Sequence, residues 1–167
     1  MPEVRFRPFR PSDAQRLAAI LHEAVHMIGA RDYTPEQLDA WSLAPLPPET
    51  YRARVADGRL VTVAVSDEDV PVAFIELEAD GHIDCFYCHP DVAGSGVGKA
   101  LFRQAQAHAI ETGQTRLYVE ASEAARRFFL REGFEVIARK TFRRRDVLIH
   151  NYEMEKWLVR RARIEDA

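Results

Sequence analysis

Runs of branched and aromatic residues predict strands along most of the chain. The segments with this pattern are 4–9, 60–65, 70–78, 82–89, 115–120, 134–142 and 147–156. Helical periodicity, capping residues and breakers predict helical segments at 12–28, 35–41, 49–57, 96–112 and 123–132. Strands and helices in this order predict one α/β (α+β) domain spanning residues 1–167.

The first predicted helix has clear end signals. Ser12 and Gln15 form a capping box at its start. Leu17 and Leu21 then fall on one apolar stripe that continues towards the C-terminal end of the helix. Gly29 is expected to end the helix.

Composition narrows the class of protein. The chain has 167 residues, a net charge of −3 and 47% hydrophobic residues, as expected for an ordinary globular protein. A basic excess typical of nucleic-acid binding is missing, and no apolar run is long enough for a membrane span. The N-terminal segment lacks the apolar core of a signal peptide. We therefore expect a cytoplasmic protein without nucleic-acid or membrane partners; its oligomeric state stays open, with a homodimer among the options.

Cys85 and Cys88 form a C-x-x-C pair, a spacing found in redox and zinc sites. They lie in a predicted strand, where an odd separation sends the two side chains to opposite faces. No second C-x-x-C completes a zinc site. We therefore predict two packing residues and no metal.

Residues 89–101 form a glycine-rich connection between a predicted strand and a predicted helix. Gly94, Gly96 and Gly98 lack the Cβ atoms that would keep a diphosphate from the backbone. The N–H groups of the following helix would then face the anion, and Lys99 could add positive charge. The spacing fits neither a P-loop, since Ala93 stands at its first glycine, nor a dinucleotide-binding fingerprint.

The loop resembles the signature Q/R-x-x-G-x-G/A of the GNAT-type N-acetyltransferases. Gly96 and Gly98 match its glycines, and Ala93 replaces the usual Gln or Arg. A second family pattern, N-x-x-A-x-x-F/L-Y-x-x-x-G-F, matches from residue 122 to residue 134, with Ser122 in place of Asn and Phe129 in place of Tyr. The resemblance implies a central mixed, mostly antiparallel sheet that is splayed in the middle and flanked by helices.

The resemblance also implies acetyl-CoA as cosubstrate, held by residues of about 82–134. Backbone groups of Phe86, Tyr87 and Cys88 would pair with the pantetheine arm where the strand splays from its neighbour. The remaining implied contacts come from the loop, the start of the following helix and the second family pattern, and they are Gly94, Ser95, Gly96, Val97, Gly98, Lys99, Ser122 and Phe129.

The implied reaction transfers the acetyl group to a primary amine of a small molecule or peptide. Strand periodicity places His82, Asp84 and Phe86 on one face, so His82 or Asp84 could accept the amine proton, with Glu76 and Glu120 as further candidates. Phe129 cannot protonate the leaving thiolate, so we predict Tyr152 as the acid. Tyr118, Tyr87 and unaided departure stay open.

The acceptor pocket implied by the resemblance lies between the first two helices and the last hairpin. His26, Tyr33 and Trp41 are the predicted substrate-binding residues, and they suggest a small amine, with aromatic amines among the options. Protein N-termini and lysines remain alternatives.

Two rival functions remain. His22-Glu23-Ala24-Val25-His26 matches the zinc motif H-E-x-x-H, in which two histidines bind zinc and Glu23 acts as a base. Only one short strand precedes this motif, and no Met-turn follows it, which argues against a zinc peptidase. The family residues missing at 93, 122 and 129 would also suit a catalytically weak CoA-binding sensor.

Overall fold

The computed structural model describes residues 2–159, so the predicted domain limits at 1 and 167 lie outside the described residues. The strands are β1 (Arg5–Pro8), β2 (Leu60–Val65), β3 (Pro71–Leu77), β4 (Ile83–Cys88), β5 (Arg116–Ala121), β6 (Glu135–Arg144) and β7 (Val147–Trp157). The helices are α1 (Ala14–Glu23), α2 (Pro35–Trp41), α3 (Pro48–Val55), α4 (Val97–Glu111) and α5 (Glu123–Arg131). Every predicted element is present, in the predicted order.

The strands form two antiparallel sheets within one α+β domain. The first has the order β1-β2-β3-β4 and the second β5-β7-β6. β4 and β5 run parallel and meet at a single bridge between His82 and Tyr118, where Tyr118 N donates to Gly81 O at 3.1 Å. Beyond this bridge the two strands separate. The predicted splayed, mostly antiparallel sheet flanked by helices is confirmed.

The first sheet is packed on both faces. Ala73, Ile75 and Leu77 belong to the cluster under α4, whereas Phe74 belongs to the cluster under α1 and α3. These side chains are at most 2% exposed. A fully buried Ile or Leu contributes about 1.5–3 kcal/mol. The sheet is therefore a rigid support for β4, its edge strand.

Cys85 and Cys88 pack on opposite faces of β4. Cys85 lies in the cluster under α1, Cys88 packs against the cluster under α4, and both are free thiols. The prediction that the two side chains cannot meet is confirmed.

A β-bulge interrupts β4 at Asp84. Glu76 of β3 lies opposite Cys85, but the next residue, Leu77, lies opposite Ile83, so Asp84 is an extra residue without a partner. The prediction that His82, Asp84 and Phe86 share one face is wrong, because the bulge shifts the alternation by one residue.

The N-terminal helix differs from the prediction at its start, and it ends at Gly29 as predicted. A 3₁₀ turn occupies Pro11–Asp13. The Asp13 carboxylate accepts a hydrogen bond from Arg10 N at 2.8 Å and forms an ion pair with Arg7 at 2.8 Å. The predicted Ser12 capping box is therefore wrong: Asp13 closes the 3₁₀ turn and occupies the N-cap position of α1 without a side-chain cap hydrogen bond. After α1 the chain continues as a π-helix over Ala24–Ile28 before Gly29 ends it.

None of the helices in residues 2–159 is long and apolar enough to cross a membrane.

Candidate active site

A cleft of about 720 Å³ opens where β4 and β5 separate. Its walls come from β4, the glycine loop, α5 and the segment from the π-helix to α2. Twelve of the predicted site residues line it, namely Tyr33, Trp41, Asp84, Phe86, Tyr87, Cys88, Gly94, Gly96, Gly98, Lys99, Ser122 and Phe129. His26, His82, Ser95, Val97 and Tyr152 lie outside the lining.

The backbone of β4 presents free polar groups to this cleft. His89 N donates to Val72 O of the β3 side at 2.7 Å. In an antiparallel pair the direction of the backbone groups alternates, so Tyr87 also directs its N–H and C=O at β3. Phe86 and Cys88 direct theirs into the opening. Two of the three predicted residues can therefore pair with an extended ligand through their backbone, and Tyr87 presents its side chain instead.

The glycine loop follows β4 through a short 3₁₀ turn, Pro90–Val92. His89 Nδ1 accepts a hydrogen bond from Asp91 N at 3.1 Å, and its Nε2 lies 2.6 Å from Glu23 Oε2. This contact ties the start of the loop to α1. The Ser95 hydroxyl donates to Val92 O at 2.5 Å, so Ser95 shapes the loop from within.

Gly96 and Gly98 allow the loop to meet the N-terminus of α4. Gly96 caps the helix with a φ of 96°, a left-handed conformation that favours glycine. A Cβ atom at Gly98 would lie 3.0 Å from Cys88 Sγ, so glycine there lets α4 approach β4.

The first turn of α4 is suited to an anion. The first bond inside the helix runs from Ala100 N to Gly96 O at 3.1 Å, which leaves the N–H groups of Gly98 and Lys99 without helical partners. Such N–H groups and the helix dipole favour a phosphate. The exposed Lys99 ammonium adds a positive charge at the same place.

The α5 wall carries the two departures from the family pattern. Ser122 is the N-cap of α5 and accepts a hydrogen bond from Ala125 N at 3.2 Å. Phe129 is fully buried among Phe86, Phe102 and Phe134. This wall therefore offers an apolar surface and no phenol at position 129.

The opposite wall is aromatic and aliphatic. Tyr33 and Trp41 meet edge to face with ring centroids 5.5 Å apart. Burial raises the pKa of Tyr33 to about 12, and its hydroxyl donates to His150 O at 3.2 Å. Tyr87 shares this wall, where burial raises its pKa and a Trp41 hydrogen bond opposes the rise. Both phenols therefore stay protonated at neutral pH.

Glu120 and His82 form a coupled pair beside the cleft. Glu120 lines it, and His82 Nε2 lies 2.6 Å from Glu120 Oε2 while its Nδ1 lies 3.0 Å from Glu78 Oε1. Burial lowers the pKa of His82, but the hydrogen bonds to Glu120 and Glu78 outweigh it and raise the pKa overall. This arrangement can accept a proton at the cleft and pass it outward.

Asp84 belongs to a different charge cluster. Its carboxylate lies 2.6 Å from Arg59 Nη1 and 3.6 Å from Arg54 Nη1. Arg54 also holds the buried Glu76 at 3.0 Å. Two guanidinium groups thus surround the Asp84 carboxylate at the bulge, whereas a histidine lies beside Glu120.

Tyr152 takes part in a network at the start of α5. Its hydroxyl donates to Glu123 Oε1 at 2.6 Å, and His150 Nε2 lies 2.8 Å from the same atom. Burial acts to raise the pKa of Glu123, but hydrogen bonds from Tyr152, His150 and Arg126 lower it overall. The Tyr152 phenol therefore faces Glu123 instead of the cleft.

A family model described as an acetyltransferase (GNAT) domain matches residues 29–156. That range contains the splayed strands, the glycine loop and α5. The chain belongs to the GNAT acetyltransferase family.

Several proteins are similar to this acetyltransferase over nearly their whole length. The N-acetyltransferase YafP of Escherichia coli is 27% identical over 154 residues, which cover 92% of this chain and 96% of YafP. The crystal structure of an N-acetyltransferase from Rhodopseudomonas palustris has a TM-score of 0.85 at 34% identity, covering 95% of this chain and 98% of that one. The structure of yncA from Salmonella typhimurium, solved with its cofactor acetyl-CoA, has a TM-score of 0.72 at 20% identity and covers 96% of both chains.

In this GNAT enzyme the H-E-x-x-H residues make other contacts. His22 Nδ1 lies 2.7 Å from Ser42 Oγ, and His26 Nε2 lies 2.6 Å from Ser42 O. Glu23 holds His89. The motif therefore joins α1 to the end of α2 and to the glycine loop, and His26 does not reach the cleft.

Two features of the cleft wall had no local signal in the sequence. Arg127 of α5 forms a bidentate ion pair with Asp32 at 2.7 and 3.0 Å, which fixes the turn before α2. Arg31 in that turn lines the cleft. The partners are 95 residues apart, so neither spacing nor periodicity could reveal the pair.

Proposed function

We propose that this acetyltransferase transfers the acetyl group of acetyl-CoA to a primary amine by direct attack on the thioester. The observation that carries the proposal is the opening between β4 and β5, which leads directly to a glycine loop at a helix N-terminus. A thioester ligand with a long arm and a diphosphate fits this combination of a free strand edge and an anion site.

The residues present suit each part of acetyl-CoA. The backbone groups of Phe86 and Cys88 would pair with the pantetheine arm, and an N–H there would polarise the thioester carbonyl. The diphosphate would bind at Gly96, Gly98 and Lys99, on the first turn of α4.

Glu120 is the proposed proton acceptor, with His82 as its relay. As the amine nitrogen bonds to the acetyl carbon, its proton passes to Glu120 and on through His82 towards Glu78. Glu120 is favoured over Asp84 because a histidine, not two arginines, lies beside it. Asp84 is assigned a positioning role in the bulge.

The carbon–sulfur bond then breaks, and the CoA sulfur leaves as a thiolate. A thiol has a reference pKa of about 8.5, so departure without a protein acid is feasible. Burial raises the pKa of Cys88 to about 11. That thiol stays protonated at neutral pH, which favours direct transfer over an acetyl-cysteine intermediate.

The test is amine-dependent release of the CoA thiol from acetyl-CoA, with the product mass measured alongside. The panel contains aromatic amines, amino acids and a lysine peptide. Glu120→Gln should lower kcat/KM by about 10²–10⁴-fold. The matched control is Glu153→Gln, which removes an exposed carboxylate opposite Glu120 on β7 and should change little. Binding of CoA without release by any amine would favour the sensor instead.

A further inference from the structure

The acidic side chains that line the cleft are paired with basic partners, whereas several of the basic side chains are not. Each lining carboxylate has a basic partner, the pairs being Asp84 with Arg59 at 2.6 Å, Glu120 with His82 at 2.6 Å and Glu132 with Arg103 at 3.5 Å. Within residues 2–159, the side chains of the lining cations Arg31, Lys99 and Arg131 make no hydrogen bond or ion pair. The side chains that line the cleft therefore carry an excess of positive charge.

Two of these cations lie on the cofactor side. Lys99 belongs to the first turn of α4, and Arg131 is the last residue of α5. In the proposed complex the phosphates of CoA would pair with both.

Arg31 lies on the other wall, between the π-helix and α2. The turn that carries it is fixed, because Asp32 N and Tyr33 N both donate to Gly29 O at 3.0 Å and Arg127 holds the Asp32 carboxylate. The Arg31 side chain itself is exposed. A rigid turn thus presents a free guanidinium beside the aromatic wall.

The wall next to Arg31 favours an acceptor with an apolar side chain. Val25, Tyr33 and Leu38 are at most 8% exposed, and Trp41 and Tyr87 complete the surface. Every carboxylate that lines the cleft is already paired, so nothing there attracts a second cation. This argues against polyamines and lysine-rich peptides as acceptors.

We infer that the acceptor is an α-amino acid with a large apolar or aromatic side chain, whose carboxylate binds Arg31. This inference rests on the proposed function. The guanidinium fork matches a carboxylate through two parallel hydrogen bonds, while the side chain lies against Leu38 and Trp41. The amine would then be held near Glu120.

The test compares matched acceptors, phenylalanine with phenethylamine and leucine with isoamylamine. The wild type should prefer each amino acid by about 10- to 100-fold in kcat/KM, the range expected for a charged hydrogen-bonded pair. Arg31→Gln should bring the ratio close to unity by raising KM for the amino acid, and Arg31→Lys should restore part of it. The control Arg131→Gln should keep the ratio and weaken CoA binding.

Three results would overturn the inference: a wild-type preference for the amine without a carboxylate, a preference for the lysine peptide, or an Arg31→Gln defect found in CoA affinity and shared by all acceptors. These are distinct from failure of the proposed function. In that case CoA itself would not bind, or no acceptor would release its thiol.

Discussion

Arg54 and Glu76 make the buried ion pair that supports the bulge in β4. Arg54 Nη1 lies 3.0 Å from Glu76 Oε2, and the Glu76 side chain is only 1% exposed. Arg54→Met keeps much of the apolar stem and removes the charge. Glu76 would then retain Arg59, 3.7 Å from its other oxygen.

The expected loss at pH 7 is about 3 kcal/mol. Removing one partner of a buried pair typically costs about 3–5 kcal/mol. The loss cannot exceed about 4 kcal/mol, because Glu76 can become protonated in the folded variant. Protonating it at pH 7 costs about 1.36 kcal/mol for each pH unit above its unfolded-state pKa of about 4.3. For a domain of this size the melting temperature should fall by about 6–12 °C.

The deficit should also depend on pH. Burial already raises the pKa of Glu76, with Arg54 and Arg59 opposing the rise, so loss of Arg54 raises it further. A carboxylate whose folded-state pKa is raised makes folding less favourable as the pH rises above its unfolded pKa. The deficit relative to wild type should therefore grow from pH 5 to pH 7.

Urea unfolding at both pH values measures this deficit. The control is Arg52→Met on the same helix, where an exposed arginine lies 3.6 Å from Glu49 and should contribute less than about 1 kcal/mol. Equal losses in the two variants, or an Arg54→Met deficit that is the same at pH 5 and pH 7, would refute the reasoning.

Three further predictions concern the reaction and the metal. A plot of kcat/KM against pH should rise through a pKa above about 6.5, because His82 must lose its proton before it can relay another. His82→Gln should shift this rising part of the profile. Tyr152→Phe should keep kcat within about twofold, since its hydroxyl donates to Glu123; a loss of about 10²–10⁴-fold would make it the general acid. Elemental analysis should find no stoichiometric zinc, and His22→Ala and His26→Ala should retain acetyl transfer; one zinc per chain, lost in both variants, would favour a hydrolase.

The parts of the site predicted from sequence are those with local causes. Gly96 and Gly98 were identifiable because their roles, a positive φ and a close approach to β4, depend on residues within the same strand–loop–helix unit. Ser122 likewise acts on its own helix as an N-cap. Periodicity and end signals located the strands and helices for the same reason.

The misplaced residues depend on long-range partners. The bulge at Asp84 accompanies the charge cluster formed with Arg54 and Arg59, which lie 30 and 25 residues earlier in the chain. The Tyr152 hydroxyl faces Glu123 across 29 residues. Alternation along one strand carries no information about such pairings.

The most direct test of acetyl-CoA binding between β4 and β5 is the thermal shift produced by CoA. At about 100 times its Kd, CoA should stabilise the wild type by about 2.7 kcal/mol, equivalent to roughly 5–11 °C. Gly96→Ala should abolish the shift. Gly58→Ala, at a glycine with a similar φ of 87° and no neighbour within 4 Å, should keep it. Absence of a shift in the wild type at millimolar CoA, or an equal shift in both variants, would contradict the account.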